Sequence, residues 1–352
     1  MMSHPKISII IPTHNRPDAL VETLAHLRQQ DPATDYEIIV VDDGSMPPVV
    51  LSENSLHPRC TLVRLAGVER SAARNAGAAI AEGELLIFID DDIHVGREFL
   101  RAYLRAHDEW PEALLVGSIR LPPDALLNPF GRFRQRLEQH AGPRSPGLVR
   151  ARNFCTAANM AIPRDLFQKL DGFEPALVSS EDQDLALRHT SRGGPIGFVP
   201  EAQATHQDTA LDIRRYCRRA EWGSEHMVLF CQRYPGWPDN IERKRVNGPV
   251  LWGIEPLWLS LRKMIKSALA PKPVLAILFC LALRLERWAP DSSLLDKLYR
   301  LLLGLHIFRG YRRGLEHYRI IVPAPSRSAS GQRTSRRNSS KRLHAQYDRP
   351  QA

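Results

Sequence analysis

Short apolar runs ending in polar residues alternate, over the first 120 positions, with stretches of helical spacing. Ile7 and Ile9 to Ile11 form the first run, and residues 7–11 read as a strand. Pro17 then suits a first helical position, and Leu20, Val21, Leu24 and Leu27 follow on one helical face. Residues 37–41 (Glu37-Ile38-Ile39-Val40-Val41) give a second strand and residues 61–65 a third. An Ala-rich helix over 71–81 leads into Leu85-Leu86-Ile87-Phe88-Ile89, and residues 113–118 read as a further strand. Runs apolar on both faces fit a covered parallel sheet, and their alternation with helices is the signature of βαβ units.

From 121 to 152 the periodicity weakens and Pro, Gly and Arg accumulate, which predicts a variable excursion with one short helix near 130–139. Regularity returns at 154–162. A helix is expected after Pro163, another near Glu181, and a closing strand at 195–199. Beyond about residue 210 only helical patterns occur. Residues 274–283 are apolar, but ten positions are half of what a bilayer span needs, so a buried or interfacial helix is expected. The expected fold class is α/β: a mostly parallel, Rossmann-like sheet flanked by helices over 1–210, a helical basic region over 211–325 and a disordered Ser/Arg-rich tail over 326–352.

Charge sharpens this division. The formal net charge of +9 combines a front half, residues 1–213, with 21 basic and 29 acidic side chains, and a rear segment, 214–319, with 20 and 9. An acidic half joined to a basic one points to two different jobs. The five cysteines form no CxxC pair, and an odd count suits free thiols in a reducing compartment. With no signal-peptide pattern before the first strand, a cytoplasmic location is expected.

Polar clusters punctuate the strand ends: Pro12-Thr13-His14-Asn15-Arg16, Asp42-Asp43-Gly44-Ser45 and Asp90-Asp91-Asp92. In open α/β sheets the ligand crevice lies beyond the carboxyl ends of the strands. Three adjacent carboxylates repel one another, and either water around an exposed turn or a hard divalent cation relieves that repulsion. A fourth cluster, Ser180-Glu181-Asp182-Gln183-Asp184, opens a helix, where a carboxylate serves either the helix dipole or a reaction.

In this order and spacing the motifs resemble inverting glycosyltransferases of family 2, whose fold is the nucleotide-diphosphosugar-binding GT-A type, over roughly residues 5–210. The resemblance implies that Pro12 and Thr13 border the base and ribose, and that Asp43 accepts a hydrogen bond from the base, most readily uracil. Arg74 and Asn75, in Ala73-Arg74-Asn75-Ala76-Gly77, match the segment near the nucleotide phosphates. The aspartate triplet matches the family's DXD position, implying Mg²⁺ or Mn²⁺ on Asp92, with Asp91 shared between ribose and metal and Asp90 shaping the turn. Asp182 matches the catalytic base of an ED pair whose Glu181 also faces substrate, and Gly172-Phe173-Glu174 resembles the stretch upstream of it. His206 reads either as a further ligand of the metal or diphosphate or as a surface histidine. Asn159 and Arg188 are placed on the acceptor side.

The implied reaction is metal-dependent transfer of a sugar from a nucleotide-diphosphosugar, a UDP-sugar favoured, to a hydroxyl of a glycan or lipid-linked acceptor in cell-surface polysaccharide or glycolipid synthesis. Two rivals differ in class. A sugar-nucleotide pyrophosphorylase would need a Gly-rich loop after the first strand, where no glycine stands between Pro12 and Pro17. An inactive sugar-nucleotide-binding scaffold would not need Asp92 and Asp182 intact. The arginine clusters and Trp252, Trp258 and Trp288 of the rear half suit either helices packed on the catalytic domain or peripheral attachment to an anionic membrane surface. Nucleic acid is not expected, because no recognition motif accompanies the charge.

Overall fold

The computed structural model describes residues 5–31, 34–51, 57–139, 142–143, 145–149, 154–208 and 212–320; the tail expected over 326–352 lies outside them. Strand β1 (Ile7–Thr13) is buried at every position. It lies between β2 (Tyr36–Asp43) and β4 (Leu85–Ile89), both parallel to it, and β3 (Cys60–Leu65) extends this parallel half beyond β2. Successive side chains of a strand point to opposite faces. Ile7, Ile9 and Ile11 therefore pack with Leu20, Leu24 and Leu27 of α1 (Pro17–Leu27) and with Phe99 and Tyr103 of α3 (Phe99–Glu109). Ile10 packs on the other face with Ala73 of α2 (Arg70–Ile80), Phe167 of α5 (Arg164–Lys169) and Leu185 of α6 (Glu181–Ser191). Two helical layers thus cover one sheet.

Beyond β4 the sheet becomes mixed. Strand β8 (Asn159–Pro163) runs antiparallel to both β4 and β6 (Leu114–Arg120), and the full order is β3-β2-β1-β4-β8-β6-β9-β5, with β5 at Ile93–Val95, β9 at Ile196–His206 and β7 (Gly147–Val149) pairing with β9. The closing strand expected at 195–199 is longer than its apolar run suggests. Pro200 interrupts the run, but Ala202 and Ala204 remain buried while Glu201 and Gln203 face out. The extension pairs Ile93 with His206, which brings that histidine to the aspartate triplet.

Among its described residues the rear half has helices as its regular elements: α7 (Ile213–Arg233), α8 (Pro238–Asn247), α9 (Leu257–Leu269), α10 (Lys272–Trp288) and α11 (Ser293–His317). It is anchored on the sheet domain through α4 (Pro129–Gln139), whose Phe130 and Phe133 share a core with Ile213, Cys217, Phe279 and Tyr299. Helices α7 and α11 run side by side at close range. A Cβ at Gly310 or Gly314 would strike the backbone carbonyl of Glu221 or Glu225. No single described helix is long and apolar enough to cross a membrane; α9 and α10 reach that length only as a pair bent by 85°. All five cysteines are free, and Cys280 alone among them is exposed.

Candidate active site

A crevice of about 1290 Å³ opens beyond the carboxyl ends of the central strands, and Asn15, Arg16, Arg70, Asp90, Asp92 and His206 line it. Phe154, Phe198, Arg134 and Arg219 line it too, and Arg134 Nη1 lies 2.9 Å from Asp208 Oδ2 while Arg219 pairs with the same carboxylate.

Where β4 ends, alternation separates the three aspartates. Ligand atoms of Asp90, Asp92 and His206 all lie within 4.8 Å of one another. Asp91 turns the other way, accepting from the Thr13 hydroxyl at 2.7 Å and pairing with Arg16 Nη1 at 2.9 Å. Asp90, expected to shape the turn, thus stands with Asp92 and His206 in a cluster that could hold a cation, and Asp91 ties the triplet to β1. Burial, aided by Asp92 and Asp90, drives the Asp91 carboxyl up to about 6 despite Thr13 and Arg16. For Asp92 burial acts in the same upward direction, but His206 and Arg16 outweigh it and hold the carboxyl well below the usual range. Burial would lower His206, yet Asp92 and Asp90 pull its pKa up. Asp92 Oδ1 is buried without a hydrogen-bond partner and faces His206 Nε2 at 3.2 Å. Two carboxylates and an imidazole around such an orphaned oxygen fit Mn²⁺ or Mg²⁺.

Arg74 is one of the most deeply buried large side chains. Its guanidinium donates to Asp90 Oδ1 at 2.6 Å and to Glu181 Oε1 at 2.8 Å, so it joins the ligand set to the start of α6 and does not reach open space for a phosphate. The neighbouring Asp182 is driven up to about 7, first by burial and then by the Glu181 charge, against the donors Gln183 N (2.7 Å) and Ala157 N. Asp182 does not itself line the crevice, but it follows the Glu181 that Arg74 joins to Asp90, and a carboxyl raised to that level is suited to accept a proton near neutral pH.

Several other expected contacts are structural. Asn159 is fully buried: its amide donates to the carbonyls of Ser118 and Ala202 and accepts from Tyr103 Oη at 2.6 Å, leaving nothing for an acceptor. Arg188 is spent on Asp184 and on the carbonyls of Leu170 and Gly172, which shape the turn before α6. Asn75 holds that turn from below, exchanging two hydrogen bonds with the Phe173 backbone. Pro12 and Thr13 are buried within β1, which runs on to Thr13, so Asn15 and Arg16 take the places facing the crevice. Asp43 sits half-buried at the end of β2, where Oδ1 accepts from Val68 N at 2.6 Å.

Two arginines escaped the sequence reading. Arg16 bridges Asp91 and Asp92. Arg70 is exposed and makes no hydrogen bond or ion pair among the described residues, while the charges of Asp90, Glu181 and Asp182 act on it. One signal was in the sequence: Arg70 and Arg74 are four apart on one helix and so share a face.

Comparison with known proteins agrees with this geometry. Residues 8–170 match the model of the Glycosyl transferase family 2. The validoxylamine A glucosyltransferase of Streptomyces hygroscopicus subsp. jinggangensis is 37% identical over 108 residues, 29% of this chain and 26% of that protein. The pre-mycofactocin glycosyltransferase of Mycobacterium tuberculosis is 26% identical over 241 residues, covering 66% of this chain and 49% of the relative. The chain therefore spans between about a quarter and a half of the length of these relatives. Among solved structures, a mannosyltransferase from Pyrobaculum calidifontis in complex with GDP-Man and Mn²⁺ superposes with a TM-score of 0.54 at 17% identity, covering 88% of each chain, and so shares the fold. Over residues 8–170, which hold most of its GT-A sheet, the chain is similar to glycosyl transferase family 2.

Proposed function

We propose that this crevice binds a nucleotide-diphosphosugar, a UDP-sugar favoured, and transfers the sugar with inversion to an acceptor hydroxyl. One observation carries the reading: Asp90, Asp92, His206 and Arg70 line one crevice, and Arg74 ties Asp90 to Glu181, the residue before the raised Asp182 carboxyl. Relatives named as a glucosyltransferase and a glycosyltransferase support sugar transfer as the reaction class. Asp90, Asp92 and His206 would hold Mg²⁺ or Mn²⁺, which when bound supplies Lewis-acid neutralisation of the diphosphate.

The chain's own residues do the rest. Asp43 takes the base at the end of β2, and Arg70 gives the diphosphate a charge-assisted donor in place of the committed Arg74. Asp182 accepts the acceptor hydroxyl's proton as that oxygen forms its bond to the anomeric carbon. The bond from that carbon to the β-phosphate oxygen breaks, and its electron pair leaves on the nucleoside diphosphate. Direct displacement inverts the anomeric centre. Arg74 keeps Asp90 and Glu181 fixed on either side of this path.

The acceptor is a glycan or a lipid-linked sugar of cell-surface polysaccharide or glycolipid synthesis, and the protein works in the cytoplasm, peripheral to the membrane's inner face. The exposed apolar residues Leu257, Trp258, Leu261 and Ile265 of α9, with Ile277, Leu281 and Trp288 of α10, support that attachment. Turnover of a panel of sugar nucleotides with Mn²⁺ tests the reaction. Release of nucleoside diphosphate that Asp182→Asn abolishes is expected. No release from any donor would favour an inactive binding scaffold, and release unchanged in the variant would remove Asp182 as the base.

A further inference from the structure

A second pocket, of about 480 Å³, lies in the helical half between α7, α10 and α11 and shares no lining residue with the crevice. Its walls carry Arg214, Arg218, Lys272, Arg309 and Arg313 against a single carboxylate, Glu221. That carboxylate is heavily shared, since His306 Nδ1 lies 2.5 Å from it and Arg309 and Arg313 approach its other oxygen at 3.4 and 3.1 Å. Arg214, Arg218 and Lys272 make no ion pair among the described residues; Arg214 only stacks over the Phe279 ring, 5.3 Å from its centre. Like charges gathered around one partly enclosed space repel unless an anion joins them.

His306 supplies an independent sign of a missing partner. The residue is 6% exposed, and its Nε2 is buried with no hydrogen-bond partner while Nδ1 is engaged by Glu221. A buried ring nitrogen without a partner costs free energy that a ligand atom would recover. Leu275, Ala276 and Phe279 make the remaining wall apolar, and Ala276 continues onto the exposed face of α10 that carries Ile277 and Leu281.

We propose that this pocket binds a phosphate group, held by Arg214, Arg218 and Lys272, with His306 donating to it from Nε2–H at its base while Nδ1–H stays on Glu221. The site is separate from the sugar-transfer crevice and does not depend on that reading. The phosphate belongs either to a phospholipid headgroup or to a soluble phosphate ester, and both present the same anionic oxygens to the same cations.

The test uses the full chain and two probes: inorganic pyrophosphate followed by calorimetry without divalent cations, and co-sedimentation with phosphatidylglycerol vesicles against phosphatidylcholine vesicles. The double variant Arg218→Ala/Lys272→Ala removes two exposed, unpaired cations and should weaken binding roughly tenfold or more. Arg284→Ala/Arg287→Ala removes the same charge from elsewhere on α10 and should leave binding unchanged. Vesicle binding that pyrophosphate competes away would assign the headgroup, and pyrophosphate binding without vesicle binding would assign a soluble ester. Failure of wild-type protein to bind either probe would overturn the proposal. So would equal losses in the two double variants, which would reduce the effect to general surface charge.

Discussion

Arg74 should contribute strongly to the fold, and Arg74→Met isolates that contribution. The side chain is 2% exposed, Glu181 is 8% exposed and Asp90 is 23% exposed. Methionine keeps most of the volume but leaves two carboxylates without their shared cation. Removing one partner of a buried ion pair costs about 3–5 kcal/mol. Asp90 retains some solvent and the neighbouring charge of Arg70, so the lower end applies, about 3 kcal/mol. For a domain of this size that lowers Tm by roughly 6–12 °C. Burial alone would raise the Asp90 carboxyl, but Arg74 and then Arg70 outweigh it and hold it below its ordinary 3.8. A carboxylate depressed in the folded state adds stability above its unfolded pKa and loses it as pH falls through the folded value. The difference between wild type and variant is therefore fullest near pH 7 and closes as the medium becomes acid. Thermal melts of both proteins from pH 7 to pH 3.5 read this directly. A shift below about 2 °C at pH 7, or a gap that widens on acidification, would refute the bridging role.

Other outcomes follow from the same geometry. Because the Asp182 carboxyl is driven up to about 7, the ionised base is lost as pH drops, and turnover at saturating donor should fall about tenfold per unit well below that value; a rate flat from pH 8 to pH 5.5 would contradict it. Asp90→Asn should impair Mn²⁺ binding comparably to Asp92→Asn, whereas Asp91→Asn should spare it, a contrast that titration of Mn²⁺ by electron paramagnetic resonance reads. Gly310→Ala forces a methyl against the Glu221 carbonyl and should cost about 1–3 kcal/mol in a denaturant melt; an unchanged midpoint would mean α7 and α11 separate freely.

The strands and their polar ends were legible because burial on both faces leaves an unbroken apolar run, as in β4. The length of β9 was not, since its second half follows a proline and shows itself only in the alternation of Ala202 and Ala204 with Glu201 and Gln203. That missing half decides the site, because it carries His206 to Asp92. Motif likeness singled out Asp92, Asp182 and Arg74 but could not tell a residue facing the crevice, as Asp92 does, from one buried behind it, as Arg74 is. Asn159, Asn75 and Arg188 all satisfy their polar groups on backbone or side chains of the fold, and that depends on which strand or turn lies opposite. Arg16 and Arg70 stand out for the converse reason: folding pairs Arg16 with Asp91 and Asp92 and brings the charges of Asp90, Glu181 and Asp182 to bear on an unpaired Arg70. The rear half was legible as helices, whereas the pocket between α7, α10 and α11 depends on packing across nearly a hundred residues of chain.

Calorimetric titration of UDP into the full chain, with and without Mn²⁺, tests the central claim most directly. The account predicts binding that requires Mn²⁺ and is lost in Asp92→Asn and in His206→Ala while both variants remain folded. Binding of UDP with equal affinity in the absence of any divalent cation, or its survival in both variants, would contradict the assignment of Asp90, Asp92 and His206 as the metal and diphosphate platform.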